Sequence, residues 1–198
     1  MTELTFNWPK AGDRAFKPSV PAADYARLEA SVMPSDESYL AGFQRAADMI
    51  VDAAKIDDGN PDDLFFPVAY LYRHHMELML KEMVRLGVRL GSLEGCDSIL
   101  GQHNLDRLWD KAKQLIKEVW PDSPDDDLNA VEQMILEFHK LDPTGQAFRY
   151  ARDRHGAAHL QGAPQRVGLD NLRAAVDAVS GFLDAAWAGI DYCDPGLT

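Results

Sequence analysis

Cysteine is almost missing from this chain. Among 198 residues only Cys96 and Cys193 carry a thiol, and neither belongs to a CxxC pair or to a Cys/His ligand spacing. That excludes a disulfide framework and a structural zinc site, and it makes a cytoplasmic location the expectation. Long apolar runs are lacking too. No stretch of about 18 or more apolar residues occurs, so no membrane span is expected. The opening Met1-Thr2-Glu3-Leu4-Thr5 does not follow the basic-then-apolar grammar of a secretory signal. No internal repeat or low-complexity tract is present, which excludes solenoids and arrays.

Positive charge is in short supply. There are 20 Lys and Arg against 32 Asp and Glu, a net charge of −12. Such a surface repels phosphate backbones, so the chain as a whole is not a general nucleic-acid binder. The shortage is uneven, however. From Lys140 to Arg173 six basic residues (Lys140, Arg149, Arg152, Arg154, Arg166, Arg173) face three acidic ones (Asp142, Asp153, Asp170). A local basic patch survives inside an acidic protein.

What is plentiful is helical grammar. The hydrophobic content of 46% and the length fit a single globular domain. Residues 1–21, with Pro9, Pro18 and Pro21, read as an extended N-terminal arm. A short helix is expected over Ala22–Val32 and a longer one from Asp36 to about Lys55, on the spacing of Leu40, Phe43, Ala47, Ile50 and Val51. Asn60-Pro61-Asp62-Asp63 is a helix start: a capping side chain, a proline at the first position and carboxylates at the positive dipole end. It opens the amphipathic segment that runs to Leu90. Another helix begins at His103-Asn104 and stops at Pro121. Ser123-Pro124-Asp125 opens one that reaches Leu141, and the last runs over Leu169–Ile190.

Between Thr144 and Gly168 the helical period disappears, and Gly145, Gly156, Gly162 and Pro164 interrupt the chain. Ala147–Ala151 and Gln165–Val167 are expected to pair as a small hairpin. The expected class is all-α: an antiparallel helical bundle with a small β-hairpin-like excursion before the last long helix. The domain spans 22–192, followed by a tail of 193–198.

The segment Arg73-His74-His75-Met76-Glu77 is the densest cluster of chemistry. On a helical wheel Arg73, Glu77 and Lys81 form an i,i+4 ladder opposite the apolar arc, which reads as a solvated face. His74 and His75 point about 100° apart and cannot share one metal ion on a regular helix. His75 falls at the core margin. Phe148-Arg149-Tyr150 reads as an anchor, an arginine stacked on a ring or paired to a buried carboxylate, with Glu77 as the expected partner. His103 is expected to cap its helix.

Three pieces, taken in order, resemble the HEPN-like helical-bundle family. Tyr70–Lys81 is similar to the family's long second helix. Gly101-Gln102-His103-Asn104-Leu105-Asp106-Arg107-Leu108-Trp109 is similar to the helix start that follows it, and Phe148-Arg149-Tyr150 to a segment before the last helix. The likeness spans about residues 40–190. It implies a helical bundle that dimerises, with no cofactor and no metal. It also implies membership of a group that includes metal-independent endoribonucleases, toxin and defence components, and non-catalytic binders of RNA or partner proteins.

The family's catalytic pattern is Arg, a polar residue, three or four others and then His. Arg154-His155-Gly156-Ala157-Ala158-His159 matches it, and Arg149 with His155 fits a looser spacing. The resemblance implies that His159 moves protons and that Arg154 stabilises phosphate charge. Catalytic members carry this motif on a helix. Here Gly156 and its Gly/Pro-rich surroundings put it at a hairpin tip, which favours a contact surface.

The leading expectation is therefore a dimeric interaction protein that binds RNA or a protein partner. Its binding residues would be Arg73, His74, Glu77, Arg152 and Arg166. The alternative is an endoribonuclease using Arg154 with His159, or Arg149 with His155. A small-ligand or nucleotide pocket between helices, lined by Arg73, His74, Glu77 and Arg149, is the third.

Overall fold

The computed structural model describes residues 11–15, 36–56, 60–160 and 162–193. The chain divides into two units, Met1–Pro34 and Ser35–Thr198. In the first unit only an exposed turn at residues 11–15 is described. The rest of the expected arm and the expected helix Ala22–Val32 lie outside the described residues, and so do 194–198 of the expected tail.

Six helices make up the described part of the second unit: α1 (Asp36–Ile56), α2 (Pro61–Arg89), α3 (Asp97–Leu100), α4 (Leu105–Val119), α5 (Asp125–Leu141) and α6 (Leu169–Tyr192). The starts follow from caps. Asn60 Oδ1 accepts from the backbone N–H of Asp62 at 3.2 Å and Asn104 Oδ1 from that of Arg107 at 3.0 Å. Each satisfies a donor that has no partner within its own helix. α5 has no capping side chain; Asp125, Asp126 and Asp127 place charge at its positive end instead. The connector after α2 contains one helical turn, α3, that the sequence does not announce.

α2 is the spine. It packs on α1, α4 and α6, while α5 contacts α4 and α6. Tyr72, Met76, Leu80, Met83 and Val84 of α2 are fully buried with Leu108 and Trp109 of α4 and Val176 and Leu183 of α6. Met76, Met79 and Met83, at turn spacing along α2, are all core residues. His75 joins three helices: Nδ1 lies 3.0 Å from the Leu40 carbonyl of α1, and Nε2 lies 2.8 Å from Ser180 Oγ of α6. A carbonyl only accepts, so Nδ1 carries the proton and the neutral ring accepts from the serine hydroxyl at Nε2.

The described residues contain no β-strand. Ala147, Phe148 and Arg149 form a turn, with the Arg149 and Tyr150 N–H groups directed at the Gln146 carbonyl. The expected pairing with Gln165–Val167 is replaced by a single antiparallel bridge, Arg152 to Ala158. The cause is Asp142, whose carboxylate captures the backbone N–H groups of Gln146 and Ala147 and curls this stretch.

Candidate functional site

The polar centre of the molecule is built on α2, where Arg73, Glu77 and Lys81 follow one another at turn spacing. The sequence reading of a solvated ladder is corrected here. Arg73 is 2% exposed, Glu77 1% and Lys81 9%. The wheel places them away from the apolar arc, but the start of α4 and the loop after α5 cover that face and bring partners.

Arg73 Nη1 donates to Glu77 Oε2 at 2.9 Å, Nη2 to the His103 carbonyl at 2.6 Å, and Nε to the Asp142 carbonyl at 3.1 Å. Nε also lies 3.2 Å from Asp142 Oδ2. Glu77 Oε1 is shared by Lys81 Nζ at 2.9 Å and His103 Nδ1 at 2.8 Å. Burial pushes the Glu77 carboxyl up, but the bonds from Lys81, His103 and Arg73 outweigh it and hold its pKa below the ordinary 4.5. Glu77 is thus ionised inside the protein, and Arg73 is held beside it by three partners. At 1% and 2% exposure neither side chain presents a surface to a ligand.

Above this buried cluster lies a ledge of half-exposed rings. The Arg149 guanidinium sits 5.5 Å from the Tyr70 ring centre and 5.6 Å from that of Tyr150, while its Nε donates to the Gly145 carbonyl at 2.8 Å. The stacking role read from Phe148-Arg149-Tyr150 is present, but the carboxylate partner is not Glu77, which Arg73 occupies. His74 stacks on Tyr70 with centroids 5.9 Å apart, and it meets Phe43 edge-on at 4.4 Å. Burial lowers its pKa and favours the neutral ring. Guanidinium, phenol and imidazole therefore line one surface, with Tyr150 58% exposed at its edge. His103 does not cap α4, since Asn104 does. Its exposed ring is oriented by Glu77 instead, through Nδ1.

The Arg/His motif has a different setting. Asp153 and Gly156 close a tight turn: the Gly156 N–H bonds the Asp153 carbonyl, and Asp153 Oδ1 accepts from the N–H groups of His155 and Ala157. Arg154 and His155 occupy its exposed tip, where Arg154 Nε donates to His155 Nε2 at 3.0 Å. His159 belongs to the base of the turn, where its N–H bonds the Ala151 carbonyl, and its Nε2 is buried without a hydrogen-bond partner. The tip and the base hold the two halves of the motif, which is not carried on a helix. Arg152 Nη1 is tied to the Gly156 carbonyl at 2.9 Å. Arg166 is exposed in the loop before α6, on the wall of a groove at the start of α2.

Sequence reasoning missed Asp142 and Tyr70. Asp142 follows α5 directly and precedes Pro143, and Gly145 lies within reach; a carboxylate just past a helix end before Pro and Gly is a turn-forming signal. Among the described residues no group of three or more His, Cys, Asp or Glu could hold a metal ion, and no helix is long and apolar enough to cross a membrane. No protein-family model matches the chain, and comparison with curated proteins and with solved structures finds no match.

Proposed function

We propose that this chain is a HEPN-like interaction protein, an antiparallel bundle acting as a cytoplasmic homodimer, that holds single-stranded RNA on the Arg149 ledge without cleaving it. The observation that carries this reading is Arg149 placed between the Tyr70 and Tyr150 rings, exposed, within the basic segment of an acidic chain. Exposed rings stack on any base, and a guanidinium held beside them adds cation–π and phosphate contacts. Arg152 and Arg154 on the adjoining turn extend the positive strip along which a backbone can run.

Cleavage by Arg154 and His159 is the weaker reading. One side chain is at an exposed tip, and the other has its Nε2 buried. A proton-transfer pair needs both groups within reach of one phosphodiester.

The test is fluorescence anisotropy of a labelled single-stranded oligonucleotide with the full chain in EDTA, followed by gel analysis of the RNA. Saturable, salt-sensitive binding with intact RNA is expected, about tenfold weaker in Arg149→Ala. Binding indifferent to Arg149→Ala would overturn the ledge assignment. EDTA-resistant cleavage lost in His159→Ala would restore the nuclease. Light scattering of the same sample reports the dimer.

A further inference from the structure

A groove of about 730 Å³ opens where the first turns of α2 meet the end of α5 and the loop before α6. Its volume is within the range of sites for small organic ligands. Phe65, Phe66, Leu141, Leu160 and Val167 form its apolar wall. Phe66 is 44% exposed and Val167 40%, so large apolar side chains face water along the groove.

Two features distinguish this wall from an ordinary surface crease. Leu160 has φ +60°, and it is the one residue other than glycine with positive φ among the described residues. A left-handed leucine is strained and persists only where its surroundings hold it. Here it places an apolar side chain on the groove, and the turn from the Ala163 N–H to its own carbonyl at 3.1 Å fixes it there. The second feature is electrostatic. Arg166 lines the groove and makes no hydrogen bond or ion pair among the described residues. A guanidinium paired to no carboxylate among the described residues, on the same wall as the exposed Phe66 ring, is complementary to an anion on an apolar body.

We propose that this groove binds a small apolar monoanion, an aromatic or aliphatic body carrying one carboxylate or sulfonate. The body packs on Phe65, Phe66 and Leu160, and the acid pairs with Arg166. Asp62, on the same wall, selects against a second negative charge. The groove shares no lining residue with the RNA ledge, and the proposal does not depend on that reading.

The probe is 8-anilinonaphthalene-1-sulfonate, compared with N-phenyl-1-naphthylamine, which has the same rings without the sulfonate. Fluorescence titration uses the full chain, shown by near-ultraviolet circular dichroism to be folded under the same conditions. Saturable binding of the sulfonate is expected, weakened about tenfold by Arg166→Gln with the neutral probe unaffected. Phe66→Ala should weaken both probes. Three results would each overturn the proposal: no saturable binding of the sulfonate, sulfonate binding unchanged in Arg166→Gln, or equal weakening of both probes in that variant.

Discussion

Glu77 Oε1 and His103 Nδ1 lie 2.8 Å apart, with the carboxylate buried and the imidazole exposed. The contact closes a chain of charge that begins at Asp142, passes through Arg73 and Glu77, and reaches solvent at His103. α2, the start of α4 and the loop after α5 are joined by it. No apolar contact would hold that loop in the same way, because Asp142 shapes it by accepting its backbone N–H groups.

Removing Glu77 tests how much this chain contributes. Glu77→Ala leaves Lys81 buried without its counter-charge and Arg73 with Asp142 alone, and breaking such a buried pair from one side costs about 3–5 kcal/mol. His103→Ala removes only an exposed partner and should cost less than about 1 kcal/mol. Urea unfolding followed by tryptophan fluorescence measures both. Equal effects would mean that Glu77 is held by His103 rather than by the buried cations.

Stability should also depend on pH through His75. Burial lowers its pKa below the ordinary 6.5 and outweighs the Leu40 carbonyl and the nearby Asp184, Asp48 and Asp177, which raise it. The unfolded chain then binds the proton more tightly than the folded one. Stability contributed by the neutral ring is complete above about pH 6.5, and it falls with pH towards the lowered value, by up to about 1.4 kcal/mol per unit for one proton. His74 shifts in the same direction, also from burial. His75→Gln can keep bonds to Leu40 and Ser180 while losing the titration. Its unfolding free energy should fall less steeply between pH 6.5 and 5, and an unchanged slope would assign the effect elsewhere.

The helices were legible because their starts are local events: Asn60 and Asn104 cap within three residues of themselves, and the apolar spacing does the rest. The polar centre was not legible, for a matching reason. A helical wheel shows where Arg73 and Glu77 point but not what arrives there, and Asp142 lies 69 residues further along the chain. The same limit applies to the hairpin. Asp153 and Gly156 announce a turn at that point, whereas the loss of Ala147–Arg149 to the Asp142 turn depends on a side chain outside the expected strands. The Arg154/His159 pattern was visible as letters, and its geometry depended on that turn.

Two glycines separate backbone strain from crowding. Gly145 (φ +75°) and Gly156 (φ +84°) are both left-handed. An alanine Cβ at 145 would lie 3.2 Å from Arg73 Nη1, whereas one at 156 meets nothing within 4 Å. Gly156→Ala should therefore cost about 1–2 kcal/mol from conformation alone. Gly145→Ala should cost more, because the Arg73 guanidinium is fixed by Glu77, His103 and Asp142 and has little freedom to move aside. Thermal unfolding of the two variants side by side decides the order. Equal midpoints would show that the ion cluster yields.

The RNA reading separates stacking from charge. Tyr150 is exposed beside Arg149 and offers a stacking ring rather than a cation, so Tyr150→Ala should reduce affinity while leaving the dependence on salt unchanged. Arg154, at the tip of the exposed turn, hydrogen-bonds only His155 among the described residues and faces solvent, where a phosphate can reach it. Arg154→Ala should lower affinity across RNA sequences and reduce the slope of log K against log salt by about 0.7, the single-strand value for one lost phosphate contact. Anisotropy titrations between about 50 and 200 mM salt read both quantities. If Arg154→Ala leaves the slope untouched while Tyr150→Ala still weakens binding, the strand stops at the ledge and does not reach the turn. If neither variant changes anything, RNA does not bind on this face. The basic segment would then act on a protein partner, detectable as loss of that partner's binding in the same two variants.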